Sequence, residues 1–117
     1  MNSSITKYSE NRPWGNFEQF CKNQQCTVKI ISVKSNEELS LQYHHHRDEF
    51  WKILSGKATI VLGEKAIQAN EGDEFFVPKE TRHRIKTENS AAKILEISLG
   101  KFDENDIVRL EDKYKRN

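Results

Sequence analysis

The chain has 117 residues, 32% of them charged, with 19 Lys plus Arg against 18 Asp plus Glu. That length holds one hydrophobic core, so residues 1–117 are expected to form a single domain. A net charge of +1 argues against nucleic acid or a membrane surface as partner, although a few basic side chains can still hold a substrate phosphate locally.

The start, Met1-Asn2-Ser3-Ser4, reads as part of a polar N-terminal tail over residues 1–11. No apolar stretch approaches a membrane span or a signal-peptide core, and a cytoplasmic protein is expected. Trp14 to Cys21 is the first candidate strand. Cys21 and Cys26 flank Lys22-Asn23-Gln24-Gln25, which reads as a hairpin loop, and in a reducing compartment they are expected as free thiols. Thr27 to Val33, Leu39 to His44 and Glu49 to Leu54 follow as strands. Ala58 to Leu62 and Lys65 to Ala69 read as a hairpin around Gly63-Glu64. Phe75 to Val77 stops at Pro78, and His83 to Thr87 and Lys93 to Leu99 complete the set. From about Glu104 to Tyr114 the spacing of Ile107, Leu110 and Tyr114 predicts a C-terminal helical segment within residues 103–117, capped by Asp103. The charges from Arg109 to Arg116 then read as its solvated face. Roughly nine short strands without a long helix mean an all-β sandwich or barrel.

All four histidines fall in two places, His44-His45-His46 and His83. A strand alternates its faces, so Gln42 and His44 point one way, Tyr43 and His45 the other. Arg47-Asp48 turns the chain, and Glu49 opens the next strand, where it can face His44. His83 arrives from a different strand pair. Gln42, His44, Glu49 and His83 together make a mixed N/O donor set suited to Zn, and also to Mn, Fe, Ni or Co. The plain alternative is a solvated run of imidazoles on a loop; the convergence of Gln42, Glu49 and His83 argues against it. His45 is expected to face outward, while His46 shares the inner face only if its strand continues. Trp14, Trp51, Phe75 and Phe76 read as core, with Trp51 able to line the pocket.

These motifs resemble the cupins, small jelly-roll β-barrels with two histidine-bearing motifs. Asn36 stands at the first motif's opening Gly, followed by Gln42-x-His44, Glu49 and Gly56. Gly72, Pro78 and His83 fill the second, with Glu80 where that motif has Gly. A narrower likeness is carried by Arg12-Pro13-Trp14-Gly15, Leu39 to Arg47, Glu49-x-Trp51, Pro78-Lys79, His83-Arg84-Ile85 and Asp106-Ile107-Val108-Arg109. In these the chain is similar to type II mannose-6-phosphate isomerases, usually the C-terminal part of a bifunctional enzyme that is also a mannose-1-phosphate guanylyltransferase. It departs from them at Ser35-Asn36, at Glu80, and at Phe50, where the family has His. No Gly-rich nucleotide loop occurs, so nucleotidyl transfer is not expected of these residues.

The resemblance implies interconversion of mannose 6-phosphate and fructose 6-phosphate on a divalent metal, in GDP-mannose and polysaccharide precursor metabolism. His46, or else Asp48, is the expected proton carrier. Arg12, Arg47, Arg84 and Lys86 are the expected phosphate and substrate contacts, with Trp51 beside them. Competing readings are a non-catalytic sugar- or nucleotide-sugar-binding cupin and another cupin enzyme such as a nucleotide-sugar epimerase. A homodimer is expected through Phe17, Phe20, Phe50 and Leu54, and a separate guanylyltransferase is a possible partner.

Overall fold

The computed structural model describes residues 7–114, and among them lie eleven strands and no helix. Residues 1–6 and 115–117 fall outside the described residues. In chain order the strands are β1 (Tyr8–Arg12), β2 (Gly15–Gln19), β3 (Cys26–Val33), β4 (Leu41–Tyr43), β5 (Glu49–Gly56), β6 (Ala58–Leu62), β7 (Lys65–Ala69), β8 (Glu74–Val77), β9 (His83–Lys86), β10 (Ala92–Leu99) and β11 (Val108–Glu111). β1 and β2 form a ribbon of their own. Two larger sheets carry the rest, in the orders β3-β10-β5-β8 and β11-β4-β9-β6-β7.

Every named strand pairing is antiparallel, so directly opposed residues share a face. Ile53 pairs with Ile94, and Ile94 with Ile31; on the other sheet Ile60 pairs with Ile85 and Ile67. Ile53, Ile60, Ile85 and Ile94 are buried and form the main core with Val33, Trp51, Ala58 and Val77. The core thus draws on both sheets and closes one end of the space between them. Each fully buried Ile stabilises by about 1.5–3 kcal/mol. A second apolar cluster, Phe50, Ile97 and Leu99, has Phe20 and Cys26 packed against it. Phe50 and Ile97 oppose one another and alternate with Glu49, Trp51, Glu96 and Ser98, so they occupy the reverse face of their sheet.

Two expectations at the termini are corrected. The N-terminal tail begins to be structured earlier than residue 12, because Tyr8–Arg12 is a strand paired with β2. Its polar sequence gave no alternation of apolar residues. It is held by its ladder with β2, and Lys7 at 3.0 Å from Glu74 and Lys52 at 3.3 Å from Glu18 link the ribbon to the sheet. Among the described residues the expected C-terminal helix does not form: Val108–Glu111 is a strand, paired with β4. A short charged helix is marginal by itself, whereas the edge of β4 satisfies the same backbone groups. Asp103, the expected cap, instead accepts the Asn105 N–H at 2.9 Å in a side-chain turn.

The positions where the sequence departs from motif glycines keep the glycine-like backbone. Asn36 has φ 59° and Glu80 φ 65°. Gly56 is more tightly constrained: its φ is +81°, and a Cβ there would lie 1.9 Å from the Ala91 carbonyl oxygen. Gly72 has φ +92° but open space around it. Gly56→Ala is therefore expected to destabilise the fold by more than about 2 kcal/mol in urea unfolding, and Gly72→Ala by only about 1 kcal/mol. Equal losses for the two would remove the steric account of Gly56.

Candidate metal centre

Glu49 opens β5, and His83 opens β9. His44 follows directly on β4. Gln42 on β4 pairs with His83, which places them on one face of the sheet. From the facing sheet Glu49 is paired with Ser98 and Val77. One ligand atom from each of His44, Glu49 and His83 lies within 4.8 Å of the other two, and all three side chains are buried.

The imidazoles are oriented from behind. His44 Nδ1–H donates to the Asp106 carbonyl at 2.7 Å, and His83 Nδ1–H to the Thr81 carbonyl at 2.9 Å. A carbonyl only accepts, so the proton sits on Nδ1 in both rings and each Nε2 presents a lone pair. His44 Nε2 lies 3.3 Å from Glu49 Oε2. His83 Nε2 is buried and has no hydrogen-bond partner. An orphaned buried lone pair facing a carboxylate and a second imidazole is what a cation with N/O preference resolves, so the residues fit a divalent metal. Gln42 offers a further oxygen. That oxygen accepts the Ser40 hydroxyl at 2.6 Å, which leaves a second lone pair on it.

Glu49 is only 1% exposed, and its charge is met on several sides. Trp51 Nε1–H donates to Oε1 at 2.9 Å and Arg47 Nε–H to Oε2 at 3.0 Å. Glu96, two positions before Ser98 on β10, hydrogen-bonds the same carboxylate. Burial pushes Glu49 upward, but the Glu96 hydrogen bond, the two imidazoles and Arg47 outweigh it and hold the group below the usual carboxylate range. Burial and the neighbouring Glu49 charge push Glu96 to about 8. Glu96 is thus the partner that carries the proton at neutral pH. Burial lowers both His44 and His83, with Glu49 pulling each part of the way back.

The other sequence-nominated residues are distributed differently. Trp51 lies against the site, its ring centroid 5.4 Å from that of His83. Arg47 is also inside, with Nη2 3.3 Å from His44 Nε2 and Nη1 donating to the Asp103 carbonyl at 3.2 Å. Its guanidinium stacks 4.4 Å from the Phe102 ring centroid. His46 is exposed and lines a surface groove with Asp48, Lys79, Gln24, Gln25, Leu99 and Gly100. Asp48 accepts the Lys79 N–H there at 2.7 Å. Arg12 is exposed on the ribbon and paired with Glu10 at 2.5 Å. Arg84 and Lys86 alternate with His83 and Ile85 and so face away from the core. Arg84 donates to the Leu39 carbonyl at 2.8 Å and to Glu111 at 3.1 Å; Lys86 is exposed. Phe50, the departure from the isomerase pattern, belongs to the second apolar cluster on the reverse face and does not touch the ligand atoms' side of the sheet.

Sequence reasoning passed over Glu96, and it named Asp106 and Arg109 within a family motif but without a role at the site. Asp106 clips the histidine run: its carboxylate accepts the N–H of His45 at 2.8 Å and of His46 at 2.9 Å, and its carbonyl orients His44. Burial would raise Asp106, but those two N–H bonds hold it low. Glu96 had a legible signal, since it shares strand parity with the apolar Ile94 and is therefore an acid on a core face.

Comparison with known proteins places the chain. The family described as mannose-6-phosphate isomerase C-terminal matches residues 2–112. The xanthan biosynthesis protein XanB of Xanthomonas campestris pv. campestris is 38% identical over 107 residues, covering 90% of this chain and 23% of that protein. Mannose-1-phosphate guanylyltransferase RfbM of Salmonella typhimurium is 36% identical over 104 residues, 87% of this chain and 22% of that one. The chain therefore spans less than a quarter of these curated relatives. The crystal structure of a cupin protein from Bacteroides fragilis superposes with a TM-score of 0.60 at 22% identity, over 67% of this chain and 70% of that one, which shows the cupin fold.

The two buried histidines and Glu96 bend stability in opposite directions in metal-free protein. Both histidines are depressed below their ordinary value near 6.5, so the unfolded chain takes up their protons first and stability falls as pH drops through that value. Glu96 keeps its proton to about 8 when folded but loses it near 4.5 when unfolded, so stability falls as pH rises between those values. Urea midpoints measured against pH should peak near 6.5, and Glu96→Gln should flatten the limb between about 6.5 and about 8. An unchanged alkaline limb in that variant would contradict the assignment of the proton to Glu96.

Proposed function

The chain belongs to the mannose-6-phosphate isomerase C-terminal family, and we propose that it is a metal-dependent isomerase interconverting mannose 6-phosphate and fructose 6-phosphate. The observation that carries this reading is the convergence of His44, Glu49 and His83, with both imidazoles aimed inward by backbone carbonyls. His44, Glu49 and His83 would hold a divalent cation, with Gln42 as a further oxygen donor, and such an ion would supply a Lewis acid to the carbonyl and hydroxyl oxygens of an open-chain sugar.

The protein's own groups do the remaining work. The rigid wall fixes where the sugar's C1–C2 end can lie, which lowers the entropy cost of aligning its two oxygens. Trp51 closes one side and keeps Glu49 aimed by its N–H. Arg47 and Glu96 keep the buried carboxylate compensated. His46, in the groove it shares with Asp48, is the proposed proton carrier between C2 and C1. Relatives named for xanthan and alginate biosynthesis and for guanylyl transfer support a place in polysaccharide precursor metabolism, with a cytoplasmic setting and a guanylyltransferase acting alongside. A homodimer belongs to the same proposal: β3 is a sheet edge, and its Val28 and Ile30 are 57% and 61% exposed. Of the faces expected from sequence, Phe20 and Phe50 instead pack on one another at 5.2 Å.

The test is turnover of mannose 6-phosphate by protein loaded in turn with Zn, Mn, Co, Ni and Fe, with metal content measured by elemental analysis. Glu49→Gln and His83→Gln are expected to lose bound metal and to lower kcat/KM by roughly 1,000-fold or more. Turnover that survives in both variants would remove the metal reading, and no turnover with any metal would remove the isomerase.

A further inference from the structure

Arg109 stands in one cross-strand row with two residues of the site. It is paired with Gln42, and Gln42 with His83. Opposed residues of antiparallel strands project from the same face, so Arg109 faces the side that carries the His83 imidazole. Its Nε is buried without a hydrogen-bond partner, and its guanidinium has no ion pair or hydrogen bond among the described residues. The other described arginines are all committed: Arg12 to Glu10, Arg47 to Glu49, Arg82 to Glu64 and Arg84 to Glu111.

A half-buried guanidinium without a counter-charge is costly, and a fold tolerates it where a ligand supplies the missing anion. A second orphan points the same way. Ser98 Oγ is buried and unpartnered on the facing sheet, directly opposite Glu49. The third buried orphan is His83 Nε2. A metal would satisfy His83; the remaining donors, a guanidinium and a hydroxyl, both call for oxygen acceptors that the described residues do not provide.

We infer that Arg109 is the anion anchor of this site and grips the phosphate of a small phosphorylated ligand, with Ser98 donating to an oxygen of the same molecule. On the isomerase reading, on which the identity of the ligand rests, Arg109 holds the 6-phosphate while the sugar's C1–C2 end meets the metal ligands. Two strand spacings separate Arg109 from His83 along the row, roughly 10 Å. That is comparable to an open six-carbon chain with its phosphoester. The planar fork of Arg matches two phosphate oxygens at once, which a lysine cannot do.

The experiment uses the metal-loaded full chain and its Arg109→Gln and Arg109→Lys variants. Calorimetry measures binding of inorganic phosphate, fructose 6-phosphate and fructose, alongside isomerase kinetics, metal content and urea unfolding. Arg109→Gln is expected to weaken phosphate and fructose 6-phosphate binding roughly 10- to 100-fold, to raise KM more than it lowers kcat, and to leave metal content unchanged. Its ligand-free stability should equal or exceed that of the parent, because an uncompensated cation is removed; a merely structural arginine would lower it. Arg109→Lys keeps the charge and should recover only part of the affinity, and it supplies the comparison if the Gln variant does not fold. Unchanged phosphate binding in both variants, or a parent chain that binds neither phosphate nor fructose 6-phosphate, overturns the inference. Arg109-dependent binding without isomerisation removes the isomerase reading and leaves the anchor standing; isomerisation with a KM indifferent to Arg109 does the reverse.

Discussion

The buried charge of Glu49 is the constraint around which this domain is arranged. A carboxylate taken out of water costs several kcal/mol unless its oxygens are matched. Here one oxygen takes the Trp51 indole and the other the Arg47 guanidinium, with Glu96 and the two imidazoles completing the surroundings. Trp51 and Glu96 are themselves opposed across β5 and β10, so the compensation is built into the strand register. Slipping either strand by one residue would exchange Glu49 and Trp51 for Phe50 and send the charge into the second apolar cluster. Register, core and ligand set are therefore one requirement.

The same logic separates two kinds of polar residue in the interior. Those that compensate Glu49 have their partners within the chain. Ser98, Arg109 and the Nε2 of His83 have none among the described residues. Native interiors leave few such groups, and each calls for an explanation. That three occur on the opposed faces that meet at the ligand atoms, rather than scattered through the core, is the mark of a place prepared for something that is not protein.

Much of the scaffold was legible because its strands are short, apolar and bounded by Gly, Pro and Asp. Ala58–Leu62 and Lys65–Ala69 occur where their alternation placed them. The meeting of His44, Glu49 and His83 was legible too, since strand parity sets the face of His44 and chain reversal at Arg47-Asp48 brings in Glu49. Parity applied as strictly to β9 would have turned Arg84 and Lys86 away from His83. The termini were illegible for a different reason. Tyr8–Arg12 is a polar strand held by its ladder with Gly15–Gln19, without apolar alternation to announce it, and Ile107, Leu110 and Tyr114 have helical spacing by coincidence. Only the free edge of β4 decides that the tail extends, and no local pattern records a neighbour about 65 residues away. Arg109 was hidden with it, because a residue assigned to a solvated helix cannot be placed in a row with Gln42.

Asp106 joins the two ends of this story. Its carboxylate clips the backbone of His45 and His46, and its carbonyl sets the tilt of the His44 ring. The loop that aims the first histidine thus arrives some sixty positions later in the polypeptide than the histidine itself. Loss of the Asp106 turn would leave both hydrophobic clusters in place while freeing the His44 ring to swing, so the protein would keep its shape and lose the aim of its first imidazole.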